Sequence, residues 1–365
     1  MINKEGKVKI PSGCAITGII DKNGNKFNGE DIIKSIALMH ERSNGLGGGF
    51  AAYGIYPEYK DFYALHIFFD DFNIKIQTED YIKKNFDIIN SESIPTKKNP
   101  KIYDPPLIWR YFLNPKKDNI EKKEIDEKEF VFKCVMEINK NFKGAYIFSS
   151  GKNMGVFKGV GYPEDIGKFF LLDTYEAYIW TAHGRFPTNT PGWWGGAHPF
   201  TLLNWSVVHN GEISSYDANR RFVEMYGYIC TLKTDTEVIT FLFDMLIRKH
   251  NIPLKKAIKI VVAPFWDDIE KEIDPSLKKE LKSIRSVYAS ALINGPFSII
   301  LGFEDGILAL NDRIKLRPLV VATKDAKTYI SSEESAIRVI CNNPDKVWMP
   351  AGGEPIIALL KKEYR

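Results

Sequence analysis

The order of strand-like and helix-like segments is the feature that most restricts the fold of this 365-residue chain. Short apolar runs typical of strands open the chain at residues 14–20 and return from residue 297 onward, while most amphipathic helical patterns lie between them. No regular alternation of strand and helix occurs, so a parallel βαβ sheet is not expected. We therefore predict an α+β protein in which sheets pack on each other and helices cover their outer faces. The helical patterns cover residues 30–42, 214–226, 234–250, 253–270 and 276–293.

Composition and charge exclude several classes of function. The hydrophobic content of 44% is ordinary for a globular protein. The net charge of +4 is too small to indicate nucleic-acid binding, which needs a clustered basic face. The four cysteines are scattered and form no CxxC pair, so neither a zinc site nor another metal site is predicted. They are Cys14, Cys134, Cys230 and Cys341.

No membrane segment is expected. The first residues lack the apolar core of a secretion signal, and no uncharged apolar run of about 18 residues occurs. Scattered cysteines without a signal peptide fit a reducing compartment, so a cytoplasmic location is predicted.

Residues 183–235 concentrate polar and turn-forming residues, which often form binding sites on a rigid scaffold. Arg185 can bind a carboxylate with a planar fork of donors, and Asp235 can hold an ammonium group. Between them, Asn210 and Gly211 offer an amide donor and an unhindered backbone N–H. Together they predict a pocket for an α-amino acid, with donors left for an oxyanion.

Cys14 is the best candidate for a nucleophile that matches this pocket. Only the thiolate attacks well, so the thiol needs a base. If the bond between Gly13 and Cys14 were cut, the free α-amine would have a reference pKa of about 7.7–8.0, close to about 8.5 for the thiol. One residue would then supply both nucleophile and base. Activity by this route requires removal of residues 1–13, which we interpret as a propeptide.

Two alternatives stay open at the level of residues. Thr234 to Glu237 matches a capping box, so Asp235 is also an ordinary acid for a first helical turn. A histidine is the alternative partner for the cysteine. His209 alternates with Asn210 and would point away from that side chain on a strand. For His198 and His209 structural roles are favoured, with His198 orienting its loop.

Eight short motifs resemble the class II glutamine amidotransferases, whose N-terminal cysteine hydrolyses glutamine to glutamate and ammonia. Within them the chain looks most like the glutaminase domain of glutamate synthase. The resemblance covers the N-terminal strand and roughly residues 155–250 and 295–358. The motifs are CAITGI from Cys14, KGVGYPEDI, HGRFPTNT, AHPF, VVHNGEIS, TDTEV, DRIKLRPL and SSEESA.

This resemblance implies the four-layer αββα sandwich of the N-terminal nucleophile hydrolases. It implies that Cys14 is the nucleophile and that its freed α-amine is the base. It places Arg185 on the α-carboxylate of glutamine and Asp235 on the α-ammonium group. The side-chain amide of Asn210 and the backbone N–H of Gly211 would form the oxyanion hole.

The resemblance also implies a mobile lid over glutamine, formed by the loop from Pro187 to Gly196. In or beside this loop, Thr188 and His198 complete the predicted substrate-binding set. Trp193 and Trp194 are expected either to exclude water from the closed site or simply to pack.

Residues 14–365 are predicted to form one class II amidotransferase domain. Residues 57–145 match nothing that we can align with the family, so we interpret them as an insertion with a solvated, charge-rich face near residues 116–129. The glycine-rich piece at residues 45–49 fits neither a phosphate-binding loop nor a dinucleotide fingerprint, and we predict a tight loop beside the site.

The predicted function is a glutaminase domain or subunit that forms a cysteine thioester with L-glutamine and passes ammonia to a partner synthase, of glutamate synthase type. The chain lacks motifs for a cofactor, so flavin and iron–sulfur clusters are expected on the partner subunits and no cofactor on this chain. Two other functions stay open. One is an amide hydrolase with an N-terminal cysteine and another substrate, and the other is an unprocessed subunit that binds glutamine without turnover.

Overall fold

The computed structural model describes residues 13–186 and 192–364. Apart from Gly13, the predicted propeptide lies outside the described residues, as does Thr188. The strands are β1 Ala15–Asp21, β2 Phe27–Asn28, β3 Gly48–Tyr53, β4 Tyr63–Phe69, β5 Phe86–Ser93, β6 Leu107–Pro115, β7 Ala145–Ser149, β8 Met154–Gly159, β9 Glu176–Ala177, β10 Ile179–Gly184, β11 Phe200–Leu202, β12 Trp205–Gly211, β13 Phe297–Phe303, β14 Gly306–Asn311, β15 Val320–Lys324, β16 Lys327–Ser331, β17 Lys346–Trp348 and β18 Ile356–Leu359. The helices are α1 Glu30–Leu38, α2 Phe72–Asn85, α3 Lys117–Lys123, α4 Glu127–Asn141, α5 Pro163–Phe169, α6 Tyr216–Glu224, α7 Asp235–Asp244, α8 Leu254–Val261, α9 Trp266–Lys271, α10 Pro275–Val287 and α11 Glu334–Arg338.

Strand β1 lies inside the first sheet, and all seven of its residues are buried. Its nearly continuous apolar sequence suits a strand that is covered on both faces. It pairs with β10 and β16, antiparallel to both, in a sheet of order β17-β15-β16-β1-β10-β3-β8. Because Ala15 pairs with Gly184, the residue before β1 and the residue after β10 meet at one edge of this sheet.

The second sheet packs face to face on the first. Its order is β11-β12-β13-β14-β18, and β12 and β13 lie against β1 and β10. Apolar side chains from both sheets fill the space between them, among them Ile16, Val208, Ile300 and Ile307. This core fixes the position of β12 relative to β1.

Helices cover the two outer faces. Helices α1, α5 and α11 lie on the first sheet, and α7 lies on β11 and β12 of the second. The side chains of Val238, Ile239 and Leu242 of α7 pack in a second apolar core with Leu301 of β13. The order helix, sheet, sheet, helix confirms the predicted α+β class and four-layer αββα sandwich. No helix in the described part of the chain has the length and apolar character needed to span a bilayer.

A third antiparallel sheet, of order β5-β6-β4-β7, is formed by residues 63–149. It adjoins the second sheet where Oγ1 of Thr201 donates a hydrogen bond of 2.8 Å to O of Phe148. Phe68 of β4 packs in the core between the two sheets, and Ile67 packs in the second apolar core, beneath α7. Residues 57–145 therefore extend the second β layer, and their status as an insertion in the family stays a prediction.

Gly48 and Gly49, which we predicted to lie in a loop, belong to strand β3, so this prediction was wrong. A Cβ atom at Gly49 would lie 2.3 Å from O of His198 and 2.5 Å from Cβ of Lys158. No real Cβ tolerates such contacts, so glycine serves here for the close approach of the segment that carries His198. Gly45, with a φ of +74°, keeps the predicted turn.

Helix boundaries differ from the patterns for local reasons. The helix predicted at residues 253–270 is two helices, α8 and α9, because Pro264 lacks an N–H and disfavours helical backbone at the residue before it. The helix predicted to reach residue 250 is α7 followed by the π-helical turn Met245–Lys249. The charge-rich stretch includes α3, which has no buried residue, as predicted.

Phe68→Ala is expected to lower the free energy of unfolding by about 3–5 kcal/mol, because it leaves a cavity in the core. The Phe68 ring is 5% exposed, stacks on Phe148 at 3.8 Å and meets Trp194 edge-on. Phe72, 60% exposed in the same segment, provides the matched control, and Phe72→Ala should change the free energy by about 0.5 kcal/mol or less. Urea unfolding followed by tryptophan fluorescence measures both. Equal small effects would contradict the placement of this segment in the core.

Candidate active site

Four chain segments meet at one edge of the sandwich: the start of β1, the end of β10, the end of β12 and the start of α7. The β1–β10 register places Cys14 beside Arg185. Helix α7 packs on β12, and Oδ2 of Asp235 accepts the N–H of Ile213 at 3.1 Å. The charges of Arg185 and Asp235 both act on the Cys14 thiol. The predicted nucleophile and the two predicted substrate-binding charges therefore share one site.

The thiol of Cys14 is partly buried and is not activated in the intact chain. Its Sγ accepts the N–H of Phe186 at 3.3 Å. Burial raises the pKa of the thiol, and the N–H of Phe186 and the charges of Arg185 and Arg317 offset this rise only in part. The thiol is therefore protonated at neutral pH and needs a base before it can attack.

Two arginines that the motifs did not single out lie against the backbone around the cysteine. Nε and Nη2 of Arg42 each lie 3.4 Å from O of Cys14, and Nη1 of Arg42 binds Glu333 at 3.0 Å. A Cβ atom at Gly13 would lie 3.4 Å from Nη1 of Arg317 and 3.7 Å from Nη2 of Arg42. Gly13, directly before the nucleophile, therefore lies beside two guanidinium groups.

Arg185 is held by the glycine-rich segment before β3. Its backbone N–H donates to O of Gly47 at 2.8 Å, and its Cδ would lie 3.0 Å from a Cβ atom at Gly47. Nη1 would lie 3.7 Å from a Cβ atom at Gly196, so the guanidinium reaches the end of the predicted lid. Burial lowers the pKa of Arg185, but an arginine remains charged at neutral pH. A guanidinium held in this way suits a carboxylate ligand.

Asn210 is fully buried at the end of β12. Among the described residues, neither Oδ1 nor Nδ2 of its amide has a hydrogen-bond partner. A buried unpaired amide costs about 1–3 kcal/mol, so a ligand that bonds to it gains a strong partner. Its Oδ1 would lie 3.6 Å from a Cβ atom at Gly13, so the amide lies beside the residue that precedes the nucleophile. Next to it, Gly211 has a φ of +146°, and a Cβ atom there would lie 2.0 Å from O of Pro296.

Asp235 is the first residue of α7, and its side chain is 22% exposed. Burial by itself would raise the pKa of this carboxyl, but His209, the N–H of Ile213 and the hydroxyl of Thr236 together hold the pKa below its ordinary value. The carboxylate is therefore ionised and reachable from solvent, which suits an ammonium ligand. Asp235 also lies in the first turn of a helix, where an acidic side chain is favourable. This is the position that the alternative interpretation assigned to it.

The capping box predicted at the start of α7 is only half present. Oγ1 of Thr234 accepts the N–H of Thr236 at 3.2 Å. The carboxylate of Glu237 instead accepts the N–H of Leu232 at 3.1 Å. Lys233 has a φ of +55°, and this left-handed residue turns the chain so that Leu232 faces Glu237. Burial raises the pKa of Glu237 to about 7.

Three buried histidines lie behind Asp235. The rings of His183 and His198 stack with their centroids 3.9 Å apart. Nε2 of His198 and Nδ1 of His209 lie 2.9 Å and 3.1 Å from Oγ1 of Thr236. Burial lowers the pKa of His183 to about 3 and lowers that of His198 well below its ordinary value. These two rings are therefore neutral at physiological pH.

The positions of the histidines favour structural roles. His209 and Asn210 point to opposite faces of β12, as their alternation predicts. Within the described part of the chain, no histidine forms a hydrogen bond with Sγ of Cys14, so a cysteine–histidine pair is not supported. His198 was placed in the substrate-binding set, but its Nε2 is taken up by Thr236. The same residues contain no group of three or more His, Cys, Asp or Glu side chains placed to hold a metal.

The described part of the predicted lid, residues 192–196, is anchored at one point by a lysine. Nζ of the fully buried Lys158 donates to O of Gly195 at 2.9 Å, and burial lowers the pKa of Lys158 to about 7. Trp194 is 7% exposed and packs in the core, whereas Trp193 is 47% exposed. Trp194 therefore packs in the core, while the half-exposed ring of Trp193 lies 5.5 Å from that of Tyr146, centroid to centroid.

Comparison with known proteins establishes the family. The model of the glutamine amidotransferases class-II family matches residues 75–228. The chain is a class II glutamine amidotransferase domain protein. It is 51% identical, over 98% of its length, to an uncharacterized protein of Archaeoglobus fulgidus, 95% of which is matched. The family match includes residues 75–145, which the short motifs left unaligned.

The likeness of this class II protein to glutamate synthase is distant. The glutamate synthase [NADPH] large chain of Bacillus subtilis is 26% identical over 64% of this chain, and the match spans 16% of that protein. A solved structure of glutamine phosphoribosylpyrophosphate amidotransferase from B. subtilis, complexed with ADP and GMP, is 14% identical and aligns with a TM-score of 0.47. That alignment covers 95% of this chain and 47% of the other. A specific relation to glutamate synthase stays a prediction.

The motifs missed several residues of the site for different reasons. Thr236 and Arg317 lie inside quoted motifs, TDTEV and DRIKLRPL, but their polar contacts follow only from the packing of distant segments. Lys158 starts KGVGYPEDI, and a lysine in an otherwise apolar strand was the one signal that it is buried. Arg42 ends a helical pattern, and nothing in its surroundings distinguishes it from a surface arginine.

Acidification is expected to destabilise this protein. His66, like His183, has a pKa lowered by burial to about 3 from 6.5, and the pKa of His198 is lowered as well. Below pH 6.5 the unfolded chain therefore binds protons on these side chains that the folded chain does not bind, so stability is lost as the pH falls. Glu237 has a pKa raised from 4.5 to about 7, so between these pH values the folded chain binds a proton on this side chain that the unfolded chain does not bind. This proton offsets the effect of one of the three histidines.

Just below pH 6 the unfolded chain therefore binds a net two protons more than the folded chain. This difference corresponds to a decrease in the free energy of unfolding of about 3 kcal/mol per pH unit. Urea unfolding at pH 7.5, 6.0 and 5.0 measures this slope. A free energy of unfolding that stays constant or rises on acidification would show that these histidines are not held neutral.

Proposed function

We propose that the chain hydrolyses the side-chain amide of L-glutamine, forming glutamate and ammonia through a thioester on Cys14. The observation that carries this proposal is the meeting of Cys14, Arg185, Asn210 and Asp235 at one edge of the sandwich. These residues are far apart in sequence, and each is placed by the end of a strand or the start of a helix. The class II family of the chain supports the same function.

The two charges of the site are complementary to the α-carbon end of glutamine. Arg185 would bind the α-carboxylate with its fork of donors, and Asp235 would bind the α-ammonium group. Both charges also act on the thiol of Cys14, which supports a site where one amino acid would reach all three. A neutral amide carries no charged group for either residue to bind, which is why an α-amino acid is the favoured substrate.

In the proposed reaction, the free α-amine of Cys14 takes the proton of its own thiol and becomes an α-ammonium group, and Sγ attacks the side-chain carbonyl carbon of glutamine. The amide of Asn210 and the N–H of Gly211 would donate hydrogen bonds to the resulting oxyanion. The C–N bond then breaks, and ammonia leaves with a proton from the α-ammonium group of Cys14. Water attacks the thioester, the α-amine accepts its proton, and glutamate leaves as the thiol is restored.

This mechanism requires removal of residues 1–13 for two physical reasons. In the uncut chain the nitrogen of Cys14 is an amide and cannot accept a proton, while the pKa of the thiol is raised by burial. Gly13 also lies against Asn210, in space that the substrate amide would need. Cleavage before Cys14 would supply the base and clear the oxyanion hole together.

The ammonia would pass to a partner synthase. The distant match to the glutamate synthase large chain supports a partner of that type. Such a partner would carry the flavin and the iron–sulfur clusters. The chain itself would need only glutamine and water.

A second candidate function is a subunit that binds glutamine without turnover. The raised pKa of the Cys14 thiol and the position of Gly13 favour it for the unprocessed chain. Arg185 and Asp235 would keep their binding roles in this case. The two candidates differ only in whether residues 1–13 are removed.

Exposure of the Cys14 amine is expected to switch on glutaminase activity. One form of the protein is made with Cys14 directly after a removable initiator methionine, and a second form retains residues 1–13. Intact mass spectrometry verifies both N-termini, and a coupled assay measures ammonia and glutamate. Only the first form should be active, and Cys14→Ala should abolish its activity. Equal activity of the two forms would exclude the α-amine as the base.

Asn210→Ala is expected to lower kcat about 10²–10³-fold, because one oxyanion donor is lost. KM for glutamine should change little, since the α-carbon end is bound elsewhere. Asn204→Ala is the matched control, because Asn204 precedes the same strand at its other end and binds Lys152 and Glu304. Steady-state kinetics on both variants measure the effect. If kcat were unchanged in Asn210→Ala, another group would have to stabilise the oxyanion.

A further inference from the structure

We propose that Thr236 is a positioning residue that fixes the carboxylate of Asp235 for the α-ammonium group of glutamine. His198 and His209 act in this arrangement as hydrogen-bond donors to the Thr236 hydroxyl. This inference rests on the proposed function, since it concerns how the substrate is bound. It gives a purpose to the two histidines that the chemistry of the reaction does not use.

Only one assignment of donors and acceptors satisfies all three hydrogen bonds of the Thr236 hydroxyl. Oγ1 lies 2.9 Å from Nε2 of His198, 3.1 Å from Nδ1 of His209 and 3.2 Å from Oδ1 of Asp235. A hydroxyl offers one hydrogen and two lone pairs, while a carboxylate only accepts. The hydroxyl must therefore donate to Asp235, and both imidazoles must donate to the hydroxyl. These three bonds use its full bonding capacity.

The same count fixes the tautomers of the histidines. His198 must carry its proton on Nε2, and His209 must carry one on Nδ1. His183 must carry its proton on Nε2, because that atom lies 2.9 Å from the carbonyl oxygen of His209. The three opposite ring nitrogens are those that lack a partner among the described residues. The buried rings are thus arranged as donors aimed at one hydroxyl and one carbonyl.

As a result, both carboxylate oxygens of Asp235 accept a hydrogen bond. Oδ2 accepts the N–H of Ile213 at 3.1 Å, and Oδ1 accepts the hydroxyl of Thr236. Thr236 is 1% exposed, and its own N–H is bound by Thr234, so it is a rigid support. An ammonium ligand gains most from a carboxylate whose plane is already set. Without the hydroxyl of Thr236, Oδ1 keeps only the longer contacts with the hydroxyl of Thr234 at 3.4 Å and with Nδ1 of His209 at 3.6 Å.

The arrangement also connects residues 192–198 to the support of Asp235. His198 follows the segment that carries Trp193 and Trp194, and its Nε2 bond to Thr236 ties that segment to the support of Asp235. A shift of this segment would therefore alter the hydroxyl that orients the carboxylate.

The test uses three conservative variants of the processed enzyme. Thr236→Val keeps the shape of the side chain and removes the hydroxyl, whereas Thr236→Ser keeps the hydroxyl. Thr240→Val is the matched control, because Thr240 is fully buried one turn later on α7 and donates only to O of Thr236. Thr236→Val should raise KM for glutamine about tenfold or more, as expected for a lost hydrogen bond to a charged group, and should change kcat less than threefold. Thr236→Ser and Thr240→Val should keep KM within about threefold of the unsubstituted value, well below the loss of such a bond.

A second readout separates positioning from general damage. Glutaramic acid is glutamine without the α-amine, so it has no ammonium group for Asp235 to bind. Its inhibition constant should be the same for the unsubstituted protein and for Thr236→Val. A parallel rise of this constant, or an equal effect of Thr240→Val on KM, would overturn the inference. An unsubstituted protein that neither binds nor hydrolyses glutamine would instead overturn the proposed function.

Discussion

The face-to-face packing of the two sheets is the interaction on which the candidate site depends. Strand β1 is buried on both faces, so its register with β10 and its position over β12 are fixed by the apolar core. Cys14, Arg185 and Asn210 lie at the ends of these three strands, so the core also fixes their positions. Helix α7 is held on β12 by its own apolar face and brings Asp235 to the same edge. A site built from strand and helix ends has little freedom to rearrange.

The same packing determines the electrostatics of the site. Burial raises the pKa of the Cys14 thiol, lowers that of Lys158 to about 7 and keeps the rings of His183 and His198 neutral. Asp235 stays ionised because its oxygens are bound by neighbouring donors. In such surroundings a polar group without a partner is costly, so the amide of Asn210, which has no partner among the described residues, would be stabilised by a ligand that bonds to it.

Much of the fold followed from simple patterns, and the errors have identifiable causes. The placement of strands at both ends of the chain, with helices between, correctly indicated stacked sheets. Pro264 was an overlooked helix breaker, which is a local error that the sequence itself could correct. The assignment of Gly48 and Gly49 to a loop was a different kind of error, because the backbone that approaches Gly49 comes from residue 198. Residues 57–145 looked peripheral by their charge, yet their apolar residues extend the second β layer.

The sequence by itself determined the residue types of the site, the family and the class of fold, because motifs and periodicity are local properties of the chain. It proposed Cys14, Arg185, Asn210 and Asp235 as partners, without a means of measuring their distances. Only the tertiary structure decided that these residues share one edge and that Gly13 lies beside two guanidinium groups. It also decided that Thr236 joins two histidines to Asp235. The physical reason is that hydrogen bonding and burial depend on which distant segments pack together, and that packing is a property of the whole core.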